Sequence, residues 1–302
     1  MRDLIVGCAT NYDWSKLKYW INSINRSGFE GDKCLILMNC DKETVDKISD
    51  AGFAIIAFNQ DSNGNLTYNS NMMVHVERFY HIYQLLRDNE YRFVITTDVK
   101  DVVFQRNPSK WLEENLGHTF DQMHISHPSS QYNKGNLVFS SESIKYKDEP
   151  WGDQNLRETF GTQIYEDFKN NTIFNVGVLA GRGYAMKDLC MNIFASCVGR
   201  PIKICDQSTF NFLISQHPYL KTSKYTQSED GWACQLGTTA DPSKIEQFRP
   251  FLLEPSPKLD EDKVVTSEGI EYTIVHQYDR VPEWKKVIEA KYDDKANVGH
   301  DL

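Results

Sequence analysis

Between residues 3 and 97, short apolar runs alternate with stretches whose apolar residues recur every three or four positions. No other feature of the chain limits its fold so tightly. DLIVGCA at 3–9 reads as a strand ended by Thr10 and Asn11. Trp14, Leu17, Trp20, Ile21 and Ile24 then mark one face of a helix, which Gly28 and Gly31 stop. CLILM at 34–38 is a second buried strand, Asp41 caps a helix over 42–51, and FAIIAF at 53–58 is a third strand. The Asn-rich 61–71 is a loop, Met73, Val76, Phe79, Tyr80, Tyr83 and Leu86 trace an amphipathic helix over 72–86, and YRFVITT at 91–97 is a fourth strand. Strands separated by helices pair through crossovers, so the pattern predicts an α/β fold with a mostly parallel sheet.

The second half is less regular. Asn107 as cap with Pro108 behind it starts a helix. MHIS at 123–126 and LVFS at 137–140 read as strands, 150–169 as a loop leading into a helix, and IFNVGVLAG at 173–181 as a strand. Helices follow at 184–198 and 207–215, then a last strand TIVHQY at 273–278 and a closing helix over 282–292. No repeat, low-complexity tract or long linker divides the chain, so its two halves are expected to share one sheet system. A chain of 302 residues buries enough surface to need no disulfide or metal staple. The seven cysteines are odd in number and include no C-x-x-C pair, so they read as reduced, mostly buried thiols. A net charge of −9 argues against a nucleic-acid partner, which needs a basic face. No run is apolar enough to span a membrane and the start lacks a signal peptide's apolar region, so a cytoplasmic protein is expected. Acceptor patterns for glycosylation at Asn25, Asn65 and Asn170 carry no weight without a secretory route.

The segment most suggestive of chemistry is YRFVITTDVKDVVFQRNP. Asp98 and Asp101 directly follow an apolar strand, at the sheet edge where open α/β folds bind ligands. A tight turn there can aim both carboxylates at one hard divalent cation, which can in turn grip a diphosphate. A lone loop Asp usually caps a helix or stabilises a turn. That reading is weakened here, because VVFQ is β-branched and the next helix has its own cap in Asn107.

On these residues the chain resembles nucleotide-sugar glycosyltransferases of the GT-A fold, in particular the glycogenin and galactosyltransferase group, whose signature is D-x-D or D-x-x-D at the end of a strand. Asp101 matches the family's metal-binding second Asp. Asp98 is offset by one residue, which leaves metal, ribose or supporting roles open to it. Asn175, Gly177 and Val178 in IFNVGVLAG resemble the N-x-G-V strand bordering the sugar and acceptor pocket. Asp206, Gln207 and Asn211 resemble a D-Q-x-x-x-N element whose Asp lies near the donor sugar, and His276 in TIVHQY resembles the late His that completes the metal site. Taken alone, a His after an apolar strand is more often a hydrogen-bonded core residue.

The resemblance implies a single GT-A domain over 1–302, Rossmann-like and mixed, with a nucleotide-binding half at 1–120 and an acceptor-binding half at 121–302. It implies Mn²⁺ or Mg²⁺ held by Asp98, Asp101 and His276, and a UDP- or GDP-sugar donor whose base and ribose lie against Ala9, Thr10, Asn11 and Tyr12. Arg78 would contact diphosphate or acceptor, although a helix Arg usually lies on a solvated face. Asp206 and Asn175 would flank the reacting carbon, with Asp206 either as base or as stabiliser of an oxocarbenium-like state. Both stereochemical outcomes are open, and the Asp-Gln element favours retention. The acceptor would be a hydroxyl of a glycan or glycoprotein, in glycan biosynthesis. A polar and aromatic loop region, Ser140 to Glu142 and Asp148 to Gly152, would line its site, with Trp151 either facing a sugar ring or pinning the loop to the core.

Two rivals remain on sequence. A sugar-phosphate nucleotidylyltransferase would place a Gly-rich loop after the first strand, and ATNYDW has no Gly. A non-catalytic carbohydrate-binding protein on the same fold stays open. EGDKC at 30–34 is no phosphate loop, and G-x-G-x-x-G and H-E-x-x-H are both missing.

Overall fold

The computed structural model of the chain describes residues 1–116 and 135–297. The first half comprises β1 (Leu4–Ala9), α1 (Trp14–Arg26), β2 (Asp32–Leu37), α2 (Lys42–Asp50), β3 (Ala54–Ile56), β4 (Asn59–Gln60), β5 (Leu66–Thr67), α3 (Val74–Asp88), β6 (Phe93–Thr97), β7 (Val102–Phe104) and α4 (Pro108–Asn115). The second half supplies β8 (Leu137–Lys145), α5 (Pro150–Phe168), β9 (Thr172–Arg182), α6 (Gly183–Cys197), α7 (Asp206–Ile214), α8 (Tyr219–Thr222), β10 (Ser223–Thr226) and β11 (Ala233–Gln235). After these come α9 (Leu236–Thr239), α10 (Ile245–Phe248), β12 (Lys258–Asp260), β13 (Lys263–Val265), β14 (Ile274–His276) and α11 (Pro282–Tyr292).

Among the described residues, seven strands form one sheet in the order β10-β8-β9-β6-β1-β2-β3. β1 runs parallel to β2 and β6, β2 to β3, and β10 to β8, while β9 lies antiparallel between β6 and β8. The protein is therefore α/β, with a mixed central sheet that draws strands from both halves of the chain. Both faces of this sheet are covered. Alternate residues of β1 show how: Ile5 packs with Leu17, Trp20 and Ile21 of α1 on one side, and Leu4 and Val6 pack with Phe79 and Ile82 of α3 on the other. Each such side chain contributes about 1.5–3 kcal/mol by its burial.

Gly7 of β1 lies beside Thr97 of β6, so the segments after both strands emerge at one edge of the sheet. A second sheet of three strands has the order β11-β14-β7, and its β7 follows β6 directly after residues 98–101. All seven cysteines are free, and six of them are buried.

Several elements differ from the sequence reading. α5 is helical from Pro150 onward, because Glu149 caps it by accepting from the Trp151 and Gly152 N–H groups. Its apolar residues keep no helical spacing and Gly161 breaks it at φ 81°, which is why 150–169 read partly as loop. The strand expected at 53–58 is confined to Ala54–Ile56, where it has a neighbour on one side only. TIVHQY yields a strand of three residues, since Gln277 turns into the left-handed region at φ 61°. The strand expected at 123–126 lies outside the described residues.

Candidate functional site

The acidic bend owes its geometry to three strands. The Asp98 N–H donates to Gly177 O of β9 at 2.8 Å, which fixes the exit from β6. Asp101 immediately precedes β7, and its carbonyl accepts from the Gln277 N–H at 2.7 Å. β14 pairs antiparallel with β7 in a register that sets His276 opposite Val102, one residue beyond Asp101. The β7–β14 register thus brings His276, remote in the sequence, to the bend that carries Asp98 and Asp101.

One potential ligand atom from each of Asp98, Asp101 and His276 lies within 4.8 Å of the others. His276 Nε2 is 3.5 Å from Asp98 Oδ2 and 3.7 Å from Asp101 Oδ1. Its Nδ1 is 2.6 Å from Gln235 Oε1, and Gln235 Nε2 donates to Ser140 Oγ at 2.7 Å. An amide oxygen accepts only, so Nδ1 carries the proton and the Nε2 edge faces the acids. Metal-binding imidazoles are commonly oriented in this way. Gly177 makes room for the convergence: a Cβ there would lie 2.5 Å from His276 Cε1 and 2.8 Å from Asp98 Oδ2. Two carboxylates and an oriented imidazole suit a divalent cation, so the residues present fit a metal.

Arg78 lies beneath this cluster and is buried, in contrast to the solvated position usual for a helix Arg. Its guanidinium pairs through Nη1 with Asp98 Oδ1, and its Nη2 lies 3.4 Å from both Asp206 Oδ2 and Val176 O. These partners set the charge states. Burial by itself would raise Asp98, but Arg78 and His276 outweigh it and hold the carboxyl below the usual range. Burial raises Asp206 despite Arg78. It also raises Asp101, where the charge of Asp98 adds to the effect and His276 opposes it.

Two cavities meet at Asp98, Arg78 and His276. The first, of about 250 Å³, is lined by Ala9, Thr10, Tyr12, Lys100 and Asp101. The second, of about 400 Å³, is lined by Glu142, Trp151, Asn175, Asp206 and Lys244. Ala9, Thr10 and Tyr12 thus share a cavity with the acidic bend. Asn11 is not among the lining residues: it turns the chain at φ 58° and its N–H donates to Asn39 O at 2.8 Å. Asn175 and Asp206 share the second cavity. Arg78 touches both cavities, with its guanidinium already engaged by Asp98 and Asp206.

Ser140, Ser141 and Glu142 do not form the expected loop. They are buried residues of β8. Glu142 Oε1 accepts from Asn175 Nδ2 at 2.7 Å and from Gln207 Nε2 at 3.0 Å. Burial lifts the Glu142 carboxyl to about 7, although both amides oppose the rise. Trp151 is 49% exposed at the rim of the second cavity rather than pinned in the core. Sequence reasoning missed Gln235 and Lys244. β11 is three residues long and leaves no periodic signal, and nothing else in the chain marks Gln235 as the partner of His276.

No protein-family model matches this chain, and no curated protein matches it. Among the described residues, no helix is long and apolar enough to cross a membrane.

Proposed function

We propose that the protein is a metal-dependent glycosyltransferase of the GT-A type that moves a sugar from a nucleoside diphosphate donor, UDP- or GDP-linked, to a hydroxyl of a glycan. One observation carries this reading: Asp98, Asp101 and His276 converge at the junction of two cavities, at the edge of a mixed sheet where β1 and β6 end. The first cavity suits the nucleotide, with the half-buried Tyr12 available to a base and Lys100 to phosphate charge. The second suits the transferred sugar and its acceptor, with Trp151 offering an aromatic face.

Asp98 Oδ2, Asp101 Oδ1 and His276 Nε2 would hold Mn²⁺ or Mg²⁺. When bound, such an ion supplies positive charge against the departing diphosphate. The chain's own residues do the rest. Gln235 sets the His276 tautomer, and Arg78 keeps Asp98 ionised while bracing Asp206 in the second cavity. Asp206, buried and held by that one guanidinium, would face developing positive charge on the sugar.

One observation favours the non-catalytic rival. Asp98 Oδ1 is already engaged by Arg78, as it would be in a purely structural ion pair. The two readings part on turnover. Release of UDP or GDP from their hexose conjugates should require Mn²⁺ or Mg²⁺, and Asp101→Ala should abolish it while the protein stays folded. Undiminished release by that variant would refute the metal assignment.

A further inference from the structure

The second cavity contains a carboxyl group to which the roles above assign nothing. Glu142 sits on β8 with 5% of its surface exposed, and its backbone carbonyl is fixed by Thr238 Oγ1 at 2.7 Å. Its two oxygens are unlike. Oε1 takes both amide donors, from Asn175 and Gln207, while Oε2 has no hydrogen-bond partner among the described residues and the side chain lines the cavity. No Lys or Arg forms an ion pair with Glu142 among the described residues. Asp206, across the same cavity, is held by Arg78. Of these two acids, Glu142 is the one without a paired Lys or Arg among the described residues, and its side chain, with Oε2 left unpartnered, lines the space where an acceptor would lie.

We propose that Glu142 is the proton acceptor of the second cavity, taking the hydroxyl proton of the incoming acceptor during sugar transfer; this rests on the transferase reading above. In that step the acceptor O–H bond breaks and its proton passes to Glu142 Oε2. The acceptor oxygen forms a bond to the anomeric carbon, and the bond from that carbon to the diphosphate oxygen breaks, its electron pair leaving with the diphosphate. A base is most effective when its proton affinity matches the working pH, and burial places Glu142 at about 7. The groups that tune it are Glu149 at the head of α5, which raises it, and His276 on β14, which lowers it. Tyr146 beyond β8, Asp206 on α7, His75 and Arg78 on α3, Asp98 after β6, and Asp241, Lys244 and Arg280 complete the charged and titratable surroundings.

Water, the smallest hydroxyl acceptor, makes the test independent of the natural acceptor. Glu142→Gln keeps an oxygen for the Asn175 and Gln207 amides and removes only the basicity. With Mn²⁺ and UDP or GDP, the variant should show the wild-type thermal stabilisation. Its release of nucleotide from UDP- and GDP-hexoses by hydrolysis should fall at least ~100-fold. The wild-type rate should rise with pH through about 7 and level off, and the variant should lack that limb. A variant that hydrolyses donor at the wild-type rate or keeps the limb overturns the proposal, as does a wild type that binds nucleotide yet hydrolyses none of these donors. If Mn²⁺ and nucleotide leave the wild type unstabilised, the transferase reading fails first and takes this role with it. Normal stabilisation with unaltered turnover removes Glu142's role alone.

Discussion

Beyond the Arg78, Asp98 and His276 that they share, the two cavities draw their walls from different parts of the fold. Around the first stand the segments that follow β1 and β6, where Thr10 and Tyr12 are half-buried and the Lys100 side chain is 50% exposed. Around the second stand interior residues of β8, β9 and α7: Glu142, Asn175, Asp206 and Gln207 are all buried, and they are bonded to one another or to Arg78. A wall of strand-end loops can change its side chains without disturbing the core. In a wall of buried polar groups, every donor and acceptor must be matched, so the same side chains carry both stability and chemistry. Substitutions should therefore separate binding from stability in the first cavity and couple them in the second.

The sharpest way to break this contrast is Arg78→Met, which leaves Asp98 and Asp206 without their shared cation. Removing one partner from a buried ion pair typically costs about 3–5 kcal/mol, to be read by urea denaturation at neutral pH. Arg78 and His276 hold Asp98 below its ordinary range, so its pairing stabilises the fold above the unfolded carboxylate value and is lost as pH falls. The deficit should accordingly shrink in acid. A loss under about 1 kcal/mol would mean that the second wall is not held by internal pairing.

Next in size is a pH effect of the opposite sign. Glu142 is raised from 4.5 to about 7, so its protonated form stabilises the fold fully below 4.5, and this contribution disappears as pH rises through about 7. Relative to Glu142→Gln, the wild type should lose roughly 3 kcal/mol of unfolding free energy across that window. Parallel stability profiles for the two proteins would contradict the raised value.

Gly177→Ala tests the junction itself. Its Cβ would meet His276 Cε1 at 2.5 Å and Asn175 Oδ1 at 2.8 Å, so one of these groups must move. The expected cost is about 1–3 kcal/mol, together with loss of Mn²⁺-dependent stabilisation by nucleotide; tolerance of the alanine in both assays would count against a close-fitting cluster. The smallest effect on stability belongs to the first wall. Lys100→Ala removes an exposed cation 3.4 Å from Asp279 and should change stability by no more than about 0.5 kcal/mol, while nucleotide-induced stabilisation weakens. A larger loss of stability there would erase the distinction between the walls.

The same contrast explains what could be read from the sequence. β1, β2 and β6 were legible as continuous apolar runs, α1 by its periodic apolar face and α2 by its Asp41 cap, and the acidic bend was legible because both acids directly follow a buried strand. His276 showed itself by ending an apolar run. Glu142 appeared as a loop residue, since LVF continues as the polar SSES, whose burial depends on the partners Asn175, Gln207 and Gln235 contributed from remote elements. Gln235 itself lies on a strand of three residues, and α5 has no apolar stripe. Local pattern reports apolar runs, amphipathic faces and caps. It is silent on interior polar networks, which exist only once the chain has folded.

Calorimetric titration of the wild type and Asp101→Asn with UDP, GDP, CMP and dTDP, each with and without Mn²⁺, tests the central claim most directly. The account predicts that UDP or GDP binds the wild type only together with the cation, and that Asp101→Asn, with an unchanged melting temperature in the absence of ligand, loses this binding. Cation-independent binding, equal binding by the variant, or no binding of any of the four nucleotides would contradict it.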